Sequence, residues 1–231
     1  MASSGYLVEH AETAILFDFG QGTFVETWRY RSPGDVSAVV ISHLHADHCV
    51  DLIPLRHFVK FDNEGRGPKV YGPTELRNRF DSFQAEGGFL DLLVGGVLEP
   101  GTFEVGGLRI EARRVTHIPD SFAFRVAPAN SWDGPGLVYS GDCGVPADLV
   151  PLIHRGDTLL SEAGWGLTRE EPAIHMTAQE AAAAARDGEA DRLILTHLHD
   201  RFAENDLLEA ASDVLAKPVS VAKPGMTTEI G

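Results

Sequence analysis

With 231 residues, 43% of them apolar, the chain is long enough for one large α/β domain built on a shared core. A formal net charge of −15, from 34 acidic and 19 basic side chains, argues against long-range attraction to nucleic acid, because polyanions are gripped by clustered Lys and Arg. No run approaches the roughly 18 apolar residues that span a bilayer, no charged-then-apolar leader opens the sequence, and two cysteines, Cys49 and Cys143, are too few for a disulfide framework. A cytoplasmic protein with two small buried thiols and no membrane partner is expected.

In chain order, Thr13-Ala14-Ile15-Leu16-Phe17-Asp18-Phe19-Gly20 reads as a buried strand closed by a glycine turn. Residues 36–42 are apolar at Val36, Ala38, Val39, Val40 and Ile41 and follow Pro33-Gly34, which predicts a second buried strand. A histidine-rich segment begins where it stops. Residues 56–79 carry six basic and three acidic side chains and read as a solvated face. Within them Val70-Tyr71-Gly72 is a strand end, and residues 74–86 read as helix.

Residues 103–105 and 108–115 predict a hairpin turning at Gly106-Gly107. Residues 122–126 and 137–140 predict a further strand pair, 148–155 a helix and 158–162 a strand. Residues 178–187 carry the plainest helix signals in the chain. Thr177 and Glu180 form a capping box, five alanines run from Ala181 to Ala185, and Gly188 occupies the C-terminal cap position. A strand at 193–195, a helix at 204–216 and a strand at 219–221 follow. Alternating strands and helices predict α/β layers in a single domain over residues 1–231.

Six of the ten histidines fall at strand ends or in loops near acidic residues. His43 and His45, two apart on an extended segment, can project to one side, and Asp47 and His48 follow at once. A loop entering a helix would gather all four around a point. Imidazole nitrogens and carboxylate oxygens suit Zn²⁺, with Mn²⁺ or Fe²⁺ as substitutes.

Ser42-His43-Leu44-His45-Ala46-Asp47-His48 is similar to the H-x-H-x-D-H signature of the metallo-β-lactamase superfamily. Further marks of that family follow in order. Asp18 resembles the strand-end aspartate that braces the metal loop. His117 in Val115-Thr116-His117 resembles the third histidine. Asp142 in Tyr139-Ser140-Gly141-Asp142 resembles the bridging aspartate, and His197 in Leu195-Thr196-His197 the last histidine. The resemblance implies a four-layer αββα fold and a binuclear metal-dependent hydrolase. It assigns His43, His45, His117 and Asp142 to one ion and Asp47, His48, His197 and Asp142 to the other, with a bridging hydroxide as nucleophile. Relatives place a strand and a Gly/Ser-rich loop ahead of the segment Ala2-Ser3-Ser4-Gly5-Tyr6, so the fold is expected to lack the usual first N-terminal strand and to leave Tyr6 to Glu9 or His10 at an edge.

The superfamily covers many substrates, so fold alone does not choose one. The setting Val115-Thr116-His117-Ile118-Pro119-Asp120-Ser121-Phe122 lacks the T-P-G-H-T pattern of its thioesterases and lactonases. Tyr139-Ser140-Gly141-Asp142 and His175-Met176-Thr177-Ala178-Gln179-Glu180-Ala181 instead resemble the ribonuclease Z and cyclic-nucleotide phosphodiesterase branch. The latter segment implies a catalytic His175, protonating the leaving oxygen, although a plain loop position before the helix cap fits the residue too. Glu162 resembles that branch's strand-end glutamate, where it orients a ligand or His175 or serves structure alone. Asp47, His175 and Glu162 are therefore the residues put forward for catalysis.

The stretch of residues 61–69 is far shorter than the Gly/Pro-rich basic arm with which ribonuclease Z grips tRNA. A small phosphodiester such as a cyclic nucleotide is the expected substrate. A tRNA 3′-end endonuclease, a lactone or thioester hydrolase, and an inert metal-binding module are the alternatives. The relatives imply a homodimer. His199, which repeats the pattern of His45 after a ligand histidine, has no counterpart among the family's ligands. His10, His57 and His154 read as surface or packing residues.

Overall fold

A computed structural model describes residues 3–230; Met1, Gly231 and Ala2, the first residue of the Ala2-to-Tyr6 segment, lie outside the described residues. The chain divides into two compact units. One runs up to Glu99 and takes in Val105–Gly107, and the other comprises Pro100–Glu104 and the residues from Leu108 onward.

The first unit contains β1 (Tyr6–His10), β2 (Thr13–Phe17), α1 (Thr23–Thr27), β3 (Ala38–Val40), α2 (Ala46–Cys49), α3 (Leu52–His57), β4 (Lys69–Gly72), α4 (Leu76–Asp81) and β5 (Val94–Val97). A π-helical turn, Phe58–Asp62, continues α3. The strands form one sheet in the order β1-β2-β3-β4-β5. β1 pairs antiparallel with β2, and the other pairings are parallel. Every residue of β2 and β3 is buried, as expected of parallel strands covered on both faces. Leu16, Val39, Ile41, Leu52, Leu55 and Val70 join in its core. Each such aliphatic side chain contributes about 1.5–3 kcal/mol by leaving water.

The second unit holds β6 (Gly101–Val105, bar its last residue), β7 (Leu108–Val115), β8 (Ser121–Pro128), β9 (Leu137–Tyr139), β10 (Thr158–Glu162), α5 (Ala178–Asp187), β11 (Arg192–Thr196), α6 (Glu204–Ser212) and β12 (Val219–Val221). Its sheet has the order β12-β11-β10-β9-β8-β7-β6. β7, β8 and β9 alternate in direction, and β9 to β12 run parallel. The ends of β7, β9, β10 and β11 therefore fall at one edge of the sheet. The alanines of α5 let that helix seat closely; Ala178, Ala181, Ala182, Ala184 and Ala185 are all buried in the core with Leu152, Leu193 and Leu207. Its capping box is formed as expected, with Gly188 as C-cap.

Three expectations change. Residues 148–155 form no α-helix but two 3₁₀ turns, Pro146–Asp148 and Val150–Leu152, since Pro146 and Pro151 cannot donate a backbone hydrogen bond. The helix expected at 74–86 is confined to Leu76–Asp81. The basic stretch is not a solvated face throughout. Arg56 is buried and donates to the Phe89 carbonyl at 3.1 Å and to Gln84 Oε1 at 2.6 Å.

Candidate metal centre

In the first unit, Asp18 and His43 follow the ends of neighbouring parallel strands β2 and β3. Asp18 is fully buried. Its Oδ1 accepts from the Ser42 amide at 2.6 Å, and its Oδ2 from the Ser42 hydroxyl at 2.7 Å. The same Oδ2 lies 2.7 Å from His48 Nδ1. A carboxylate fixed in this way selects the imidazole tautomer and turns the other nitrogen outward. His48 Nε2 then lies 3.5 Å from Asp47 Oδ2, on a side chain 48% exposed. The second pair sits beside it. Ser42 Oγ is 3.0 Å from His43 Nδ1, and His43 Nε2 is 3.0 Å from His45 Nδ1.

Backbone contacts fasten this loop. Asp47 carbonyl accepts from the Ser4 amide and His48 carbonyl from the Phe19 amide. The loop lies so close to Gly20 that a Cβ there would meet the Asp47 carbonyl oxygen at 1.8 Å. Arg79 adds a side-chain contact, Nη2 to the Leu44 carbonyl at 3.3 Å. Because Asp18 controls His48 without being assigned to an ion, Asp18→Asn is expected to lower metal affinity about 10–100-fold. Chelator competition would measure it, and parental affinity in that variant would refute the bracing role.

In the second unit, His117 follows β7, Asp142 follows β9, Glu162 ends β10 and His197 follows β11. Asp142 is buried, and its Oδ2 lies 3.8 Å from His117 Nε2, 3.6 Å from His197 Nε2 and 3.8 Å from His175 Nδ1. The ligand atoms of Asp142, His175 and His197 all lie within 4.8 Å of one another. His117 Nδ1 is 2.6 Å from the Ile174 carbonyl, which makes that nitrogen the donor and leaves Nε2 as the lone-pair nitrogen on the Asp142 side.

Glu162 is almost wholly enclosed. It accepts backbone hydrogen bonds from Cys143, Met176 and Gly164, and its Oε1 is 3.3 Å from His175 Nδ1. Burial raises its pKa, the His175 contact opposes that, and Asp142 adds to it. His175 thus has Nδ1 against two carboxylates, with the His197 ring stacked at 5.3 Å and Trp165 edge-on at 6.1 Å. The remaining nitrogen, Nε2, lies on the far side of the ring.

Two residues with no role assigned from the sequence hold these segments in place. Ser140 Oγ accepts from the Glu162 amide at 2.9 Å, linking the β9 and β10 ends. Gly144 donates to the Thr116 carbonyl at 2.7 Å, and a Cβ on it would fall 1.7 Å from the Ala173 carbonyl oxygen. The signal available in the sequence was only a glycine two residues beyond a ligand-type aspartate. Gly144→Ala must displace backbone and is expected to destabilise the fold by about 1–3 kcal/mol. Thermal unfolding would show it, and an unchanged melting temperature would refute the close approach.

Both cysteines are free and buried. Burial, then the Asp18 charge, pushes the Cys49 thiol up to about 12 against the pull of Arg79, and burial likewise raises Cys143. Among the described residues neither joins a cluster of ligand-type side chains. His10 and His57 are exposed, and His154 packs edge-on against Trp132.

The donor set fits divalent ions. Two ligands on one tetrahedral ion with bonds of 2.0–2.1 Å stand about 3.3 Å apart, and the pairs His43/His45, Asp47/His48 and Asp142/His197 stand 3.0, 3.5 and 3.6 Å apart. Histidines oriented by a carboxylate or carbonyl on their outer nitrogen are the usual form of a metal site.

Mixed α/β units with such clusters at their strand ends define a metallo-hydrolase. Residues 13–198 match the beta-lactamase superfamily domain, and the chain belongs to that family. An uncharacterized protein of Mycobacterium leprae is 31% identical over 99% of this chain and 82% of its own length. Ribonuclease Z of Myxococcus xanthus is 27% identical over 98% of this chain and 92% of its own. The crystal structure of the metallo-beta-lactamase fold protein YhfI from Bacillus subtilis matches with a TM-score of 0.87 and 24% identity, covering 100% of this chain and 92% of that one. The fold class is the one the sequence implied. Among the described residues no helix is long and apolar enough to cross a membrane.

Proposed function

We propose that the protein hydrolyses small phosphodiesters, cyclic nucleotides among them. The observation that carries this reading is His175, in its H-x-T-A-x-x-A segment, held on Glu162 beside Asp142. Two divalent ions, Zn²⁺ in our reading, would be held by His43, His45, His117 and Asp142 and by Asp47, His48, His197 and Asp142; when bound they supply a water-derived nucleophile near neutral pH and neutralise charge on the phosphoryl oxygens. The protein's own residues do the rest. Asp18 and the Ile174 carbonyl fix the tautomers of His48 and His117. Glu162 and Asp142 face Nδ1 of His175 at 3.3 and 3.8 Å, and the doubly protonated ring gives its Nε2 proton to the leaving oxygen as its bond to phosphorus breaks. Glu162 is thus a positioning residue. The two free cysteines fit the reducing cytoplasm that we propose as its location.

A tRNA precursor is the second reading, favoured by the 27% identity to a ribonuclease Z. Against it stand the charge of −15 and the connection of residues 63–68 alone between the π-helical turn and β4. The test is turnover of bis-p-nitrophenyl phosphate, cyclic AMP, a tRNA precursor, a lactone and a thioester by protein loaded with Zn²⁺ or Mn²⁺, with metal counted per chain. Diester turnover without tRNA cleavage is the expected result. Lactone or thioester turnover without diester turnover would overturn the reading, as would fewer than two ions per chain with no activity.

A further inference from the structure

We propose that His199 is a substrate-binding residue, donating a hydrogen bond to an oxygen of the bound phosphoryl group. This rests on the phosphodiester reading above. His175, His197 and His199 form a row of imidazoles, with ring centroids 5.3 Å apart across the first pair and 6.4 Å across the second. The row is built where β11 stops: His197 turns the chain with a left-handed backbone, Leu198 packs against the core, and His199 is left exposed.

His199 does no structural work that would account for it. It is exposed, and among the described residues no hydrogen bond reaches its imidazole. Only its backbone takes part in a turn, accepting from the Phe202 amide at 3.1 Å. The charged and titratable groups that bear on it are His197, Arg201 and His175, with Glu170 as the opposing carboxylate. Glu170 is itself engaged by Arg201 at 3.5 Å. In a chain of net charge −15, this rim is locally rich in nitrogen donors and suits an anion. Hydrogen bonds span about 2.8 Å from donor to oxygen, so an imidazole 6.4 Å from the ligand-type His197 ring is spaced to reach an oxygen of a phosphoryl group bound beside that histidine. The sequence repeat behind this is plain: Ser42-His43-Leu44-His45 and Thr196-His197-Leu198-His199 share a pattern, yet the second places its last histidine on the rim.

The test compares metal-loaded parent with His199→Ala and His199→Gln, and with His10→Ala as an exposed-histidine control. Inorganic phosphate binding is measured by calorimetry and diester kinetics by steady-state assay. His199→Ala is expected to weaken phosphate binding and raise KM about tenfold, the weight of one hydrogen bond to a charged group, with the loss falling on KM more than on kcat. His199→Gln, which keeps a donor, should recover part of it, and His10→Ala should match the parent. Metal content should equal the parent's in all variants. Unaltered phosphate affinity in His199→Ala, no phosphate binding by the parent, or loss of metal in the variant would each overturn the proposal. Phosphate binding judges His199 even where the parent turns over no diester, which separates its failure from that of the functional reading.

Discussion

Replacing His175 with alanine is expected to lower kcat on cyclic AMP by about 10²–10⁴-fold, the contribution typical of a positioned general acid. The loss should shrink on bis-p-nitrophenyl phosphate, whose leaving group is a weak base and needs little protonation. Metal content should stay at the parental value. The geometry sets up the alternative clearly, because His175 shares a ligand-type cluster with Asp142 and His197. A variant that loses an ion, or one that slows equally on both substrates, would make His175 a ligand or a structural residue and not the acid.

The second large effect lies away from the ligands. Arg125, wholly buried in β8, donates Nε to Asp157 Oδ2 at 2.7 Å and Nη2 to Asp157 Oδ1 at 2.9 Å. Its other donors reach the carbonyls of Trp132 and Gly134, and the Trp132 ring lies 4.5 Å from the guanidinium. Asp157 also accepts from the amides of Gly136 and His154. The pair therefore ties residues 132–136 to the start of β10 with few polar atoms left over. Asp157→Ala strands a buried cation and is expected to destabilise the fold by about 3–5 kcal/mol. Urea unfolding would measure it, and a loss below 1 kcal/mol would show that water or rearrangement rescues the charge. Replacing both members with apolar residues of similar volume should cost far less than either single change.

These two residues mark the boundary of what the sequence discloses. The candidate acid is legible because its surroundings are local: Thr177, Glu180 and the alanine run define a helix start, and His175 sits just ahead of it. The ligand loop is legible for the same reason, four donor residues within six positions after a buried strand. Arg125 and Asp157 stand 32 positions apart, and each reads alone as an ordinary charged residue. Gly144 is illegible likewise, since the carbonyl that excludes a side chain there belongs to Ala173. β5 was missed because Val94-Gly95-Gly96-Val97 carries no alternation and little apolar weight; it is a strand through its pairing with β4. The helix expected at 148–155 gives way to the turns at 146–152, where Pro146 and Pro151 cannot donate a backbone hydrogen bond.

His197 sits at the end of β11 with φ of 54°, a left-handed conformation that costs a side-chain-bearing residue roughly 1–2 kcal/mol. Glycine would occupy that position without strain. Stability and chemistry therefore select in opposite directions at one codon. A library screened for heat resistance alone would drift toward glycine or asparagine at 197, and the survivors would be sturdier proteins with an incomplete site.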